Sequence, residues 1–405
     1  MTRTVPSLSL PTLLYAGNVP VESSYHGSAL LFRLLEGYPS GKLLIVEGKH
    51  ARSLPERRLR AVTYATLSVG YGRLLSTRFA RVYSSWITCR QRRSARRLES
   101  VLGDFRPEAV LTVTHGFAWD AAARVAAARQ LPLHLICHDD WPSSASVFPI
   151  LKPRVDRRLG EVYRQAVSRL CVSPFMRDAY RDRYGATGEV LLPARAADCV
   201  VHSAPPERLR EDHALTVAFA GTVSTPAYAS SLRQTADALA PIGGRLLIFG
   251  PLTAAVAPRM GIDSPNVEFR GLLPSSALIA HLRDEADILF VPMSFEPWDR
   301  TNVEASFPSK LADYTAVGLP LLIFGPEYCS AVRWARENPG TAEVVTEPTV
   351  DALASLMQRL AVSPSARWRL GQQALDIGAR SFSYSDARDR FYHALGRGSG
   401  GGLLQ

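Results

Sequence analysis

The stretch Phe307-Pro-Ser-Lys-Leu-Ala-Asp-Tyr-Thr-Ala-Val-Gly-Leu-Pro320 describes a short helix whose start is suited to hold a phosphate. Pro308 has the fixed φ of a first helical residue, so the free N–H groups of Ser309 and Lys310 open a helix that ends near Gly318. Backbone donors and the helix dipole favour negative charge at that end, where Lys310 adds an ammonium and Ser309 a hydroxyl. The chain holds only four lysines against 43 arginines, which sets a lysine at this position apart from surface filler. Asp313, one turn further along the same face, can accept hydrogen bonds from a diol such as a ribose. The same residues also satisfy a plainer reading, a capped helix packed through Leu311, Tyr314 and Val317.

Ahead of this helix lie Asn266-Val-Glu-Phe-Arg-Gly-Leu-Leu-Pro274 and Ala286-Asp-Ile-Leu-Phe-Val-Pro292, and behind it Leu319-Pro-Leu-Leu-Ile-Phe-Gly325. In this order the segments resemble the donor-binding half of glycosyltransferase family 4. Members of that family read as a strand closed by glycine, a helix, an "AD-hydrophobic-P" strand, then P-x-K-L-x-[ED]-Y-x-A-x-G-x-P. The resemblance is specific over about the C-terminal half of the chain and loose over the N-terminal half. It implies an α/β protein of GT-B architecture, two Rossmann-like domains facing across a cleft. Residues 1–203 would form an acceptor-binding domain and 214–384 a nucleotide-sugar-binding domain. A helix over 385–395 would return to the first domain, and 396–405 would form a flexible tail. The implied activity is retaining transfer of a hexose-type sugar from a nucleotide diphosphate sugar to an acceptor hydroxyl. The acceptor would be a sugar, a lipid-linked or a small molecule in glycan, polysaccharide or glycoconjugate synthesis. No metal or other cofactor is implied, since the nucleotide sugar is a co-substrate. Members carry two acidic residues with seven others between them. Asp313 fills the second position, on the ribose, but the first falls on Ala305, with Glu304 one residue early and Glu296 farther away. The transferred sugar is therefore left open, with Trp298, Arg300, Asn302 and Glu304 placed to tune it.

At 405 residues the chain is too long for one typical core and suggests two domains of about 200 residues. A hydrophobic content of 46% with 9% aromatic residues excludes a disordered chain. The five cysteines, Cys89, Cys137, Cys171, Cys199 and Cys329, are scattered, odd in number and without zinc-ligand spacing, which fits a reducing setting. No apolar run reaches membrane-spanning length and no signal-peptide pattern opens the chain, so the expectation is a cytoplasmic protein.

Alternating strand and helix patterns argue for parallel sheets covered on both faces. Candidate strands in the first half are 12–16, 43–47, 109–114, 134–138, 169–172 and 190–192, with helices over 28–35, 119–129 and 174–184. The polar, proline-containing stretch 203–213 reads as a linker. A second series of strands follows at 215–220, 245–249, 267–269, 288–291, 319–324 and 342–345.

Residues 51–100 hold twelve arginines, two glutamates and no lysine or aspartate, a local excess of +10 equal to the net charge of the whole chain. Leu59, Tyr64, Leu67, Tyr71, Leu74, Leu75, Phe79, Tyr83 and Trp86 recur mostly at helical spacing through it. A basic amphipathic helical pair of this kind suits an anionic membrane surface, here the inner face, with the protein peripheral to it. A solvated arginine face is the plain alternative. Nucleic acid is not expected, because no helix-turn-helix, zinc-finger or ribonucleoprotein motif accompanies the charge.

In open α/β sheets ligands sit beyond the carboxyl ends of the strands. In the second half Gly221 and Thr222 follow the first strand, where a small residue lets backbone N–H groups approach a phosphate. The resemblance further implies that Arg270, Leu272 and Leu273 border the nucleobase, largely through backbone. In the first half His115 follows the strand 109–114, where related transferases place a histidine facing the donor sugar. His138-Asp-Asp-Trp141 follows the next strand. Asp139 and Asp140 there are candidate acid/base groups, His138 is a candidate contact for acceptor hydroxyls and Trp141 a candidate plane for sugar stacking. Their spacing in sequence does not suggest a metal site. The loop Gly17–Ser28 leads into a helix, and Tyr25, His26 and Ser28 are candidate substrate contacts. Each cluster also has a structural reading as a turn, a cap or a surface loop. Two further functions stay open, a nucleotide-sugar epimerase or hydrolase on the same fold and a polyanion- or membrane-binding protein with an inactive cleft.

Overall fold

The computed structural model describes residues 10–23, 26–49, 52–68, 74–75 and 77–398. The chain divides into two compact units, one of Met1–Leu192 with Ser385–Gln405 and one of Pro193–Tyr384. Both are parallel α/β sheets, as the alternating pattern requires.

The first unit's strands are β1 (Leu13–Gly17), β2 (Leu43–Gly48), β3 (Thr63–Leu67), β4 (Ala109–Val113), β5 (Leu133–Cys137), β6 (Ser168–Cys171) and β7 (Glu189–Val190), ordered β3-β2-β1-β4-β5-β6-β7. All pairs are parallel, with Leu13 opposite Leu43 on one side and Ala109 on the other. The central strands are buried along their whole length, which is why they read as continuous apolar runs. The helix Tyr384–Gly396 closes this unit. Phe391, Ala394 and Leu395 are buried, Tyr392 meets Tyr38 edge to face at 5.8 Å, and Arg397 pairs with Glu189. Of the stretch read as a tail, 399–405 lies outside the described residues.

The second unit's strands are β8 (Thr216–Ala220), β9 (Arg245–Phe249), β10 (Val267–Gly271), β11 (Ile288–Pro292), β12 (Leu321–Phe324) and β13 (Ala342–Val345), again all parallel, in the order β10-β9-β8-β11-β12-β13. In each sheet the strand order reverses once, between β1 and β4 and between β8 and β11. Those are the points where a crevice opens at the carboxyl edge.

Two expectations need correction. The stretch 203–213 is not a free linker but part of the second unit. Leu209 is buried, and Arg208 and His213 reach the buried Asp287 carboxylate at 3.2 and 2.8 Å, which also accepts from the Thr216 N–H at 2.7 Å. Polarity here reflects a buried charge cluster at the foot of β8 and β11, not solvation. The arginine-rich segment is not helical throughout. Tyr64 and Leu67 belong to the edge strand β3, and among the described residues the α-helices of this segment are Ala80–Cys89 and Gln91–Leu102. Half-burial on an edge strand blurs the alternation that marks a strand. Tyr71 lies outside the described residues.

The helix Lys310–Val317 is clamped from behind by the helix Pro364–Ser381. A Cβ on Gly371 would lie 2.4 Å from the Gly318 carbonyl oxygen, a backbone atom that cannot swing aside. Gly371→Ala should therefore destabilise the protein by about 1–3 kcal/mol, read as a lower melting temperature. An unchanged melting temperature would show that the two helices have room to separate.

Candidate active site

In the second unit the three neighbouring strands β8, β9 and β10 run out into glycines at the carboxyl edge, Gly221, Gly250 and Gly271. The Gly221 N–H donates to Phe249 O and the Gly250 N–H to Gly271 O, both at 2.8 Å. A Cβ on Gly250 would meet the Gly221 carbonyl oxygen at 2.2 Å, so this close backbone approach demands glycine. Lys310 reaches the same place. Its Nζ lies 3.4 Å from where a Gly221 Cβ would be and 4.0 Å from the centre of the Phe219 ring, over its face. The side chain keeps a partial opening to solvent, yet among the described residues no carboxylate pairs with the ammonium. Burial lowers its pKa to about 7. Ser309 is the exposed N-cap and Lys310 the first helical residue, so Pro308 stands two positions before the helix. Gly318 ends it in the left-handed conformation, φ 79°. Behind it the buried Arg195 donates to Thr315 O at 2.7 Å and to Ala312 O at 3.3 Å, and Tyr314 Oη accepts from the Ala220 N–H at 2.6 Å. The helix is thus fixed to the end of β8, and Lys310 with it.

The remaining residues expected around the donor differ in fate. Asp313 is half-buried on the same helix and Thr222 half-buried after Gly221. The Arg270 side chain is bound to Glu268 and Glu285, at 3.1 and 2.6 Å. Leu272 is exposed and Leu273 half-buried just beyond β10. Ala305 is buried, and Glu304 accepts from Arg300 at 2.8 Å, so the acidic neighbour is already engaged.

In the first unit the loops after β4 and β5 bring His115, His138, Asp139 and Trp141 together. Asp139 Oδ2 lies 3.2 Å from His115 Nδ1 and 3.2 Å from His138 Nε2. The His115 ring packs against those of His138 and Trp141, with centroids 5.1 and 5.0 Å apart. Burial would raise the Asp139 carboxyl. The imidazoles of His138 and His115 overcome this and hold it well below the usual carboxylate range. Spacing along the chain carries no metal signal, but it does not capture how closely these side chains lie. One ligand atom from each of His115, His138 and Asp139 falls within 4.8 Å of the others. Two adjacent parallel strands bring together residues that are 24 apart in sequence, a proximity that local spacing does not reveal.

Asp140 does not join them. It is buried, and its Oδ1 accepts from Arg183 at 2.7 Å, so this expected acid/base group is a structural anchor. Tyr25 lies outside the described residues, and His26 and Ser28 fall in the first turn of the helix His26–Leu35. Sequence reasoning passed over Asn18. Its Oδ1 accepts from the N–H groups of Phe117 and Ala118, both at 2.7 Å, and so caps the helix Ala118–Ala128 across the reversal point. An asparagine directly after the first strand's glycine was the available signal. Gly116, φ 70°, has no room for a Cβ, which would lie 2.4 Å from that of Asn18.

The Glycosyltransferase Family 4 model matches residues 51–191, within the first unit and ahead of the motif that carries the resemblance. A search of curated proteins gave no match. Among solved structures, HepE of Anabaena in complex with UDP and glucose is 13% identical with a TM-score of 0.65, over 96% of this chain and 100% of that one. Sucrose-phosphate synthase of Thermosynechococcus elongatus is 14% identical with a TM-score of 0.67, over 94% and 97%. WaaG, a glycosyltransferase involved in lipopolysaccharide biosynthesis, is 13% identical with a TM-score of 0.64, over 95% and 100%. At these identities the likeness establishes the fold, the GT-B architecture.

A carboxylate held down by its neighbours stabilises the folded state above the unfolded carboxyl pKa of about 4, and that contribution is lost as pH falls below it. Asp139→Asn should lower the melting temperature at pH 7 and shrink the loss of stability between about pH 5 and pH 3. A variant that keeps the wild-type acid response would show that the imidazoles do not stabilise this carboxylate.

Proposed function

From a chain that is family 4-like in sequence and GT-B in fold, we propose a glycosyltransferase that moves a sugar from a nucleotide diphosphate sugar to an acceptor hydroxyl. The observation that carries this reading is the meeting of Lys310 with Gly221 at the carboxyl edge of β8. An ammonium set against an aromatic face, beside glycines and the start of a helix, suits the binding of a diphosphate.

As the bond from the anomeric carbon to the diphosphate oxygen breaks, negative charge grows on the leaving diphosphate. Lys310, the Ser309 hydroxyl and the N–H groups at the helix start would stabilise it. This cationic site is the basis for proposing a metal-independent reaction. The acceptor oxygen takes over the anomeric carbon and its proton passes to a basic atom, for which His115, oriented by Asp139, is the candidate in the first unit. Retention of configuration rests on the family resemblance. HepE binds UDP and glucose, which makes UDP the first nucleotide to test.

Lys310 has a pKa of about 7 without ligand, and a bound diphosphate favours its charged form. Above pH 7 binding must therefore take up a proton, and affinity should decline from pH 7 to pH 9. Titration calorimetry with UDP in buffers of different ionisation enthalpy measures both effects. Lys310→Ala should weaken UDP binding about tenfold to a hundredfold, the loss of a charge-assisted hydrogen bond of about 1.5–3 kcal/mol, and abolish the proton uptake. Wild-type affinity in the variant would remove the diphosphate from this site.

The proposal extends to an anionic membrane surface. Val82 and Trp86 are exposed on the helix Ala80–Cys89, with Phe79 at its N-cap, and Phe148 and Ile150 are exposed in a loop bonded to it through Ser85. The guanidiniums of Arg78 and Arg90 lie over the Phe79 and Trp86 rings, at 5.0 and 4.6 Å. Apolar side chains ringed by arginine suit an anionic interface, and we place the protein at the cytoplasmic face. No helix among the described residues is long and apolar enough to cross a membrane. Val82→Asp/Trp86→Asp should reduce sedimentation with phosphatidylglycerol vesicles several-fold. Undiminished sedimentation would clear this face of the role.

A further inference from the structure

Beside the His115–Asp139 cluster the first unit contains a cavity of about 180 Å³, lined among others by Thr88, Gln91, Trp141, Arg154 and Arg157. Four guanidiniums, of Arg124, Arg154, Arg157 and Arg158, face it against the two carboxylates of Asp120 and Glu161. The carboxylates are already engaged. Arg158 donates to Asp120 at 2.7 Å and to Glu161 at 3.0 Å, and Arg124 contacts Asp120 at 3.2 Å. Arg154 and Arg157, both exposed, form no ion pair among the described residues. Two guanidiniums remain for an anion, and guanidinium forks match phosphate geometry.

The cavity asks for more than an anion. Gln91 is 6% exposed, and its Nε2 donates to Ile87 O at 3.2 Å, but its Oε1 has no hydrogen-bond partner among the described residues. A buried amide oxygen without a donor is costly, and a ligand hydroxyl would satisfy it. Thr88 donates to Ser84 O at 2.8 Å, which leaves its hydroxyl oxygen as an acceptor. The Trp141 ring lines the cavity and also packs on His115, 5.0 Å between centroids, so one aromatic plane links it to the His–Asp cluster. A space of about 180 Å³ is below the usual range of about 300–1,000 Å³ for drug-sized ligands and suits a single ring.

We propose that this cavity binds the acceptor, and that the acceptor is a phosphorylated polyol, with its phosphate on Arg154 and Arg157 and its hydroxyls on Gln91 and Thr88. This rests on the transferase reading and names its acceptor class. The phosphate can belong to a free sugar phosphate or to a phospholipid headgroup, and the recognition chemistry is the same.

The test uses the full chain, as wild type, as Arg154→Ala/Arg157→Ala, and as Arg259→Ala/Arg380→Ala, a control that removes two exposed arginines of the second unit. Binding of glucose 6-phosphate, inorganic phosphate and glucose is measured by calorimetry at fixed ionic strength with the donor site filled by UDP. Sedimentation is measured with vesicles of phosphatidylcholine alone and with added phosphatidylinositol. The Arg154/Arg157 pair should lose at least tenfold in affinity for glucose 6-phosphate and inorganic phosphate, with the control within twofold of wild type. A loss seen only with phosphatidylinositol vesicles assigns the phosphate to a lipid headgroup. The proposal is overturned if the wild type binds neither phosphate form, or if the pair and the control bind both equally. UDP titrated alone into the same three proteins reports the donor site separately, so a failure there is distinguishable from a failure of the cavity.

Discussion

Every strand pair in both sheets is parallel, and a parallel strand cannot be followed by a tight turn into its neighbour. The chain must cross over a face through a helix or long connection before the next strand starts. All strands of a sheet therefore end at one edge, and the residues just past those ends become neighbours however far apart they lie in sequence. Gly221 and Lys310 meet for this reason, as do His115 and Asp139. The burial that parallel strands demand on both faces supplies the low-dielectric surroundings that shift the lysine and would otherwise raise the aspartate.

The two sites treat charge in opposite ways. In the first unit the carboxylate of Asp139 is compensated on the spot, because two imidazoles contact one oxygen. In the second, Lys310 lies over an aromatic face and burial leaves it partly discharged at neutral pH. A compensated charge orients its partners, whereas an uncompensated one can respond to an added anion. The first arrangement suits positioning of an imidazole and the second suits capture of an anion.

Much of this was legible in the sequence because helix and strand signals were local. Pro174–Tyr184, Arg245–Phe249 and Ala342–Val345 stand where the pattern puts them, the first an amphipathic helix and the other two short apolar-rich runs. Gly318 was readable as a stop because only a left-handed residue ends such a helix economically. The α/β class followed from alternation alone. What could not be read depends on tertiary contact. The edge strand Thr63–Leu67 is half-exposed and carries a weak period, so neighbouring arginines and aromatics suggested a helix. Asp140 sits beside Asp139 in sequence, but a strand end sends successive side chains in different directions, one to the imidazoles and the other to Arg183. Asn18 acts on a helix some hundred residues later in the chain. No local pattern announces such a partner.

The depressed pKa of Lys310 has a chemical side besides the electrostatic one. A lysine that is half deprotonated at neutral pH is a nucleophile as well as a cation, and an amine reacts with acylating reagents only in its neutral form. The chain carries 43 guanidiniums, which stay charged and inert, and only four lysine amines. Among the lysines, acylation at pH 7 is thereby concentrated at the position whose charged form a bound diphosphate would favour.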